Sequence, residues 1–226
     1  MATANSIVLV HGAWADGSCW SKIIPTLGAK GFRTTAVQLP LTSLDEDVAT
    51  VKRALALEDG PVLLVGHSYG GAVITEAGTD SKVTGLVYAA AFAPDAGESA
   101  GSLLASVPPS PVAGELRPDA DGFLKITKAG MYESFAQDLS ESEKAALFAA
   151  QAPTNGKALG GNITIPAWKT KSASYIVATN DRAIPPGLQE TMSRRIGAKT
   201  TSVASGHVVM LSNPDKVVDV IAAAAL

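Results

Sequence analysis

The chain has 226 residues, 46% of them hydrophobic and 17% charged, with a net charge of −3. That suits one domain with a sizeable core and offers no basic cluster for a nucleic-acid partner, because phosphate binding needs concentrated Lys and Arg. The one cysteine, Cys19, excludes an intrachain disulfide and a cysteine-built metal site, and reads as a small packing residue.

The first apolar run, Ser6–Val10, reads as a strand. It is too short for the apolar core of a signal peptide and lacks a basic flank, and no stretch nears the ~20 apolar residues of a membrane span. A cytoplasmic location and no membrane partner are expected. The run ends in His11-Gly12-Ala13-Trp14, and a helix is expected over Ser18–Lys30. A strand over Arg33–Gln38 precedes a helix over Leu44–Leu57, where Leu44, Val48, Val51 and Leu55 keep helical spacing. Asp45 and Asp47 on this helix, and Glu76 on the next, are expected to be solvated. The strand Val62–Val65 leads into Gly66-His67-Ser68-Tyr69-Gly70, followed by a helix over Tyr69–Thr79 and a strand over Val83–Tyr88. Between Pro94 and Pro166 no strand is legible, and Ser140-Glu141-Ser142-Glu143 reads as a capping box that opens a helix. A strand over Ser174–Ala178, a helix over Pro186–Ile196, a strand over Thr200–Val203 and a helix over Asp215–Ala225 complete the chain. Continuous apolar strands alternating with helices predict an α/β fold: a doubly wound, mainly parallel sheet of about six strands with helices on both faces. The expectation is a single domain over 1–226 with a helical lid inserted at 95–166, since long insertions in compact domains are usually functional.

Gly-x-Ser-x-Gly between a strand and a helix is the sequence form of a sharp turn that lifts a serine above the carboxyl edge of a sheet. A serine hydroxyl needs a base to take its proton and an acid to orient that base. Only three histidines are available: His11, His67 and His207. His67 adjoins Ser68 but points elsewhere on such a turn. His11 is better placed to brace a loop. His207, on a loop after the last strand, is the expected base. Asp181, directly after a strand and between Ser68 and His207 in the chain, is the expected acid, although an Asx-turn would also explain it. The amides of Tyr69 and Ala13 are the expected donors to an oxyanion.

In this order, His11-Gly12-Ala13-Trp14, Gly66-His67-Ser68-Tyr69-Gly70-Gly71, Asp181-Arg182-Ala183-Ile184-Pro185 and Gly206-His207 resemble the α/β-hydrolase superfamily. More narrowly, they resemble the compact branch of plant methylesterases, hydroxynitrile lyases and bacterial esterases. The resemblance implies a Ser/Asp/His triad on Ser68, Asp181 and His207, a mechanism without cofactor or metal, and a pocket between sheet and lid. The lyases place a threonine at the position of Gly12 and a lysine after the triad histidine, where this chain has Val208. That departure favours ester hydrolysis over cyanohydrin cleavage. The expected activity is that of a serine esterase on small to medium, largely apolar carboxylic esters. The alternatives are a lyase or C–C bond hydrolase on the same triad, or a low-turnover ligand receptor of the same fold. Gly12, Trp14, Phe92, Leu103, Met131, Tyr132, Phe135 and Met210 are candidates for contact with substrate. An apolar lid surface could also seat a second copy of the chain as a homodimer.

Overall fold

Continuous apolar runs build the central sheet of the computed structural model, which describes residues 4–226. In chain order the strands are β1 (Ser6–Val10), β2 (Arg33–Val37), β3 (Val62–His67), β4 (Val83–Ala89), β5 (Leu116–Pro118), β6 (Phe123–Ile126), β7 (Thr154–Asn155), β8 (Ser172–Ala178) and β9 (Lys199–Val203). Six form one parallel sheet in the order β2-β1-β3-β4-β8-β9. Every residue of β1 and β3 is buried, whereas the edge strands β2 and β9 carry exposed Arg, Lys and Thr. This is the pattern of a sheet covered by helices.

The helix Leu44–Leu57 opens on Ser43, whose hydroxyl accepts from the Glu46 amide at 3.3 Å. It packs on the helix Gly70–Ala77. The helix Pro214–Ala225 buries Val217, Val218, Ile221 and Ala225 and packs against β4 and β8. Among the described residues no helix is long and apolar enough to cross a membrane.

Strand order reverses between β1 and β3, where Val10 pairs with Gly66. At such a reversal the loops leaving the carboxyl ends diverge and open a crevice for a ligand. The loops after β1, β3, β8 and β9 all leave from that edge.

Two expectations need correction. Ser18–Lys30 is not one helix: a 3₁₀ turn at Gly17–Trp20 is followed by a separate short helix, Ile24–Ala29. Pro25 has no N–H to continue a helix from the preceding turn, but suits the start of a new one. The segment between β4 and β8 is not purely helical either. It holds a three-stranded antiparallel sheet, β5-β6-β7, beside its helices Ala100–Ala105, Glu141–Ala150 and Gly156–Gly160. These strands have three, four and two residues, and one contains Pro118, so no alternation could show in the sequence. The capping box is present as expected: Ser140 caps Glu141–Ala150 and the Glu143 carboxylate reaches back to the Ser140 amide at 2.9 Å.

Candidate active site

Ser68 stands at φ +53, between the end of β3 and the start of the helix Gly70–Ala77. A left-handed backbone at a residue with a β-carbon costs on the order of 1–3 kcal/mol and persists only where its surroundings hold it. Here the Ser68 carbonyl accepts from the amides of Gly71 (3.0 Å) and Phe92 (3.1 Å). The chain passes so close to β1 that a β-carbon at Gly70 would lie 2.5 Å from the Val10 carbonyl oxygen, and one at Gly12 would lie 2.6 Å from Ser68 Cβ. Position 12 therefore rejects any side chain, threonine included, unless the turn moves.

Asp181 and His207 come from the loops after β8 and β9, which end side by side at Ala178 and Val203. His207 Nε2 accepts from Ser68 Oγ at 2.9 Å, and His207 Nδ1 donates to Asp181 Oδ2 at 2.8 Å. Ser68 is 5% exposed and His207 1%. Both readings of Asp181 hold at once. Its Oδ1 accepts from the amides of Ala183 (2.7 Å) and Ile184 (2.9 Å), as in an Asx-turn, while Oδ2 faces the imidazole. A fourth donor, Gln189 Nε2, reaches Oδ2 at 2.7 Å. Gln189 also donates to the Ile184 carbonyl and accepts from the Ala178 amide, so it locks the strand end, the turn and the carboxylate together. Sequence reasoning passed over Gln189. Its one signal was a polar residue beside Leu188 on the buried side of its helix.

The other histidines are held away from Ser68. His67 Nε2 donates to the His207 carbonyl at 3.0 Å. Burial, with the nearby His207 adding to it, pushes its pKa well below the ordinary value, so it stays neutral. His11 Nδ1 donates to the Gly12 carbonyl at 2.8 Å, and its Nε2 accepts from the Leu39 amide at 2.9 Å. This is the loop brace expected of it, and burial lowers its pKa as well. The amides of Ala13 and Tyr69 make no hydrogen bond to another described residue, which leaves two donors free beside Ser68.

Asp47 departs from expectation. It is fully buried, its Oδ2 accepting from the Tyr69 hydroxyl at 2.7 Å and its Oδ1 from the Leu41 amide at 2.8 Å. Asp45 is exposed as expected. Glu76 is half-buried and accepts from the Thr164 amide at 2.8 Å. Burial outweighs the two hydrogen bonds and pushes the Asp47 carboxyl up to about 6. A raised carboxyl pKa means that ionisation is harder in the folded state than in the unfolded chain. Its stability contribution is thus intact below the ordinary carboxylate range, declines as pH rises toward about 6, and is level above that. Relative to Asp47→Asn, the parent should lose roughly 2 kcal/mol between pH 4 and pH 7, at about 1.36 kcal/mol per pKa unit, the unfolded carboxyl being already about half ionised at pH 4. Denaturant unfolding of both proteins across that range checks this, and a difference that does not vary with pH would contradict it.

The eight residues expected to meet substrate are distributed unevenly. Gly12 touches Ser68. Phe135 lies edge-on to the His207 ring at 4.9 Å and to Trp14 at 6.4 Å. Trp14 borders a cavity of about 280 Å³ shared with Cys19, Lys22, Leu147 and Leu211. The Phe92 amide supports the turn from behind. Leu103 is buried on Ala100–Ala105. Met131 and Met210 are fully buried, and Tyr132 is half-buried beneath the Lys128 and Lys144 ammonium groups.

The inserted segment grips the loops that carry the site. Thr154 Oγ1 accepts from the Trp14 amide (3.1 Å), and Trp14 Nε1 donates to the Leu124 carbonyl (2.9 Å). Asp138 accepts from the Gly206 amide (2.7 Å), and Gln137 donates to the Asn180 carbonyl (2.8 Å). At its outer side, Lys22 pairs with Glu143 at 2.5 Å, which holds the Glu143 carboxyl down at about 2.

A family model described as the alpha/beta hydrolase family matches residues 7–220. A pyrethroid hydrolase of Sphingobium wenxiniae is 32% identical over 99 residues, 38% of this chain and 35% of that protein. Methylesterase 7 of Arabidopsis thaliana is 38% identical over 108 residues, 40% of this chain and 41% of that protein. The matched stretches span less than half of either relative. The crystal structure of a pyrethroid hydrolase from Sphingobium faniae JZ-2 superposes with a TM-score of 0.87 over 99% of this chain and 98% of that one, at 24% identity, a likeness of fold.

Proposed function

Because the chain belongs to the alpha/beta hydrolase family, we propose that it is a serine esterase acting on small to medium, largely apolar carboxylic esters. The observation that carries this reading is the relay from Asp181 Oδ2 through His207 to Ser68 Oγ, with contacts of 2.8 and 2.9 Å, ending on a strained serine. In the proposed cycle, Ser68 Oγ attacks the ester carbonyl as its proton passes to His207 Nε2. The electron pair of the carbonyl moves onto oxygen, which the Ala13 and Tyr69 amides receive. Collapse of this intermediate expels the alkoxide, which takes the proton from His207. Water then attacks the acyl carbon as its proton passes to the same nitrogen, and collapse breaks the bond to Ser68 Oγ, which takes that proton back as the acid leaves. Asp181, held by four donors, keeps the imidazole in the tautomer that offers Nε2 as acceptor.

The inserted segment acts as a lid in this reading, since it covers the triad loops and sets Phe135 against His207. An apolar substrate suits the aromatic surroundings of the site and the mutual neutralisation of Lys22 and Glu143. The pyrethroid hydrolase and methylesterase relatives support ester chemistry by their names. Gly12, where a side chain would strike Ser68, favours the ester reading over the lyase pattern. A panel of p-nitrophenyl and naphthyl esters of rising acyl length, assayed beside an aromatic cyanohydrin, tests the assignment. Turnover of at least one ester above ~1 s⁻¹, the low end of ordinary enzyme rates, is expected. Cleavage of the cyanohydrin alone would overturn it.

A further inference from the structure

We propose that Asp47 and Tyr69 form a positioning pair for the oxyanion site, and that the short strap Leu39–Leu41 ties this pair to His11, so that both oxyanion amides are held from behind. The proposal rests on the esterase reading above.

The direction of an amide N–H is the direction of its peptide plane. The Ala13 N–H shares a plane with the Gly12 carbonyl, which His11 Nδ1 grips at 2.8 Å. The Tyr69 N–H shares a plane with the carbonyl of Ser68, the residue at φ +53. Relaxation of that strained turn would rotate this second plane. Tyr69 resists it through its own side chain, whose hydroxyl ends on Asp47 Oδ2 at 2.7 Å. The two arms meet on one strap. Asp47 Oδ1 accepts from the Leu41 amide at 2.8 Å, and His11 Nε2 accepts from the Leu39 amide at 2.9 Å. Pro40 between them has a fixed φ and no N–H to donate elsewhere. The Leu41 carbonyl in turn accepts from the Asn155 amide of the inserted segment at 2.8 Å.

Stability alone does not explain a carboxylate at this position. Asp47 lies on the same buried stripe as Leu44, Val48 and Val51. Apolar residues in place of both Asp47 and Tyr69 would fill the space without desolvating a charge, and exchange of a whole buried polar pair is often neutral or stabilising. The carboxylate suits the place because it accepts two hydrogen bonds at once, from groups on two different loops.

The test uses an aryl ester and an aryl trifluoromethyl ketone. The ketone adds Ser68 Oγ to its carbonyl carbon, sends the proton to His207 and leaves an oxyanion, so its affinity reads the oxyanion site directly. Removing an oxyanion donor outright costs ~10²–10³ in kcat. Loosening one should cost less. Tyr69→Phe is expected to lower kcat and ketone affinity by about tenfold each, with KM within about twofold, since only a transition-state contact is weakened. Asp47→Asn keeps a bridge, its amide oxygen accepting from Leu41 and its nitrogen donating to the Tyr69 oxygen, so kcat should stay within about threefold of the parent. Asp47→Ala severs the bridge and should match Tyr69→Phe. If Asp47→Ala does not fold, the other two variants decide. A folded Tyr69→Phe with parental kcat and ketone affinity overturns the proposal, and so does a loss confined to KM. An active Ser68→Ala would instead sink the esterase reading on which it rests.

Discussion

Ser68→Ala is expected to lower kcat for an activated ester by a factor of about 10⁴–10⁶, the usual cost of removing the nucleophile of a triad. The size follows from what is lost. Among the described residues no other hydroxyl is bonded to His207 Nε2, so the acyl-enzyme route closes and only direct attack by water remains. The fold should survive. Alanine keeps the β-carbon that position 68 already carries at φ +53, and the Ser68 carbonyl keeps its bonds to Gly71 and Phe92. Steady-state turnover, with thermal unfolding of the same preparation, checks both halves. A folded variant retaining more than about 1% of parental kcat would end the assignment of Ser68, because loss of a nucleophile leaves far less.

Asp181→Asn should lower kcat by about 10³–10⁴ with little change in KM, through the tautomer of His207. The hydrogen-bond map dictates the orientation of the new amide. Two backbone N–H groups, of Ala183 and Ile184, point at the Oδ1 position, so the asparagine oxygen must stay there. Its NH₂ group is then forced into the Oδ2 position, against the N–H of His207 Nδ1 and the Nε2 of Gln189, which are donors themselves. The imidazole relieves the conflict by moving its hydrogen to Nε2, where it faces Ser68 with an N–H in place of a lone pair. The variant should therefore fold and bind ester, yet fail to deprotonate Ser68. Nitrogen-15 NMR of the histidine rings reads the tautomer and kinetics reads the rate. A parental rate, or an unchanged His207 tautomer, would contradict this account.

Much of the site was legible because it rests on local rules. A serine between glycines, after an apolar strand and before a helix, defines a turn whatever lies around it. With three histidines in the chain, placing His207 after the last strand left His11 and His67 to other work. Asp181 followed a strand end, where its loop joins that of His207. The inserted segment was harder to read. Its strands are two to four residues long, and its antiparallel pairing joins Phe123 to Asn155 across more than a helix of intervening chain. No local periodicity records such a pairing.

Sequence alone determined which residues could do chemistry and on which strand ends they stand, because strand and turn preferences act over a few neighbouring residues. Tertiary structure alone decided which polar groups are buried and what satisfies them. Asp47 looked like any acidic residue in the first turn of a helix until Tyr69, 22 positions away, was seen to donate to it. Gln189 gained its role only when the loop after β8 folded back onto its helix. A charge or amide can be buried only where partners from elsewhere in the chain meet its lone pairs and hydrogens, and that meeting is a property of the packed molecule.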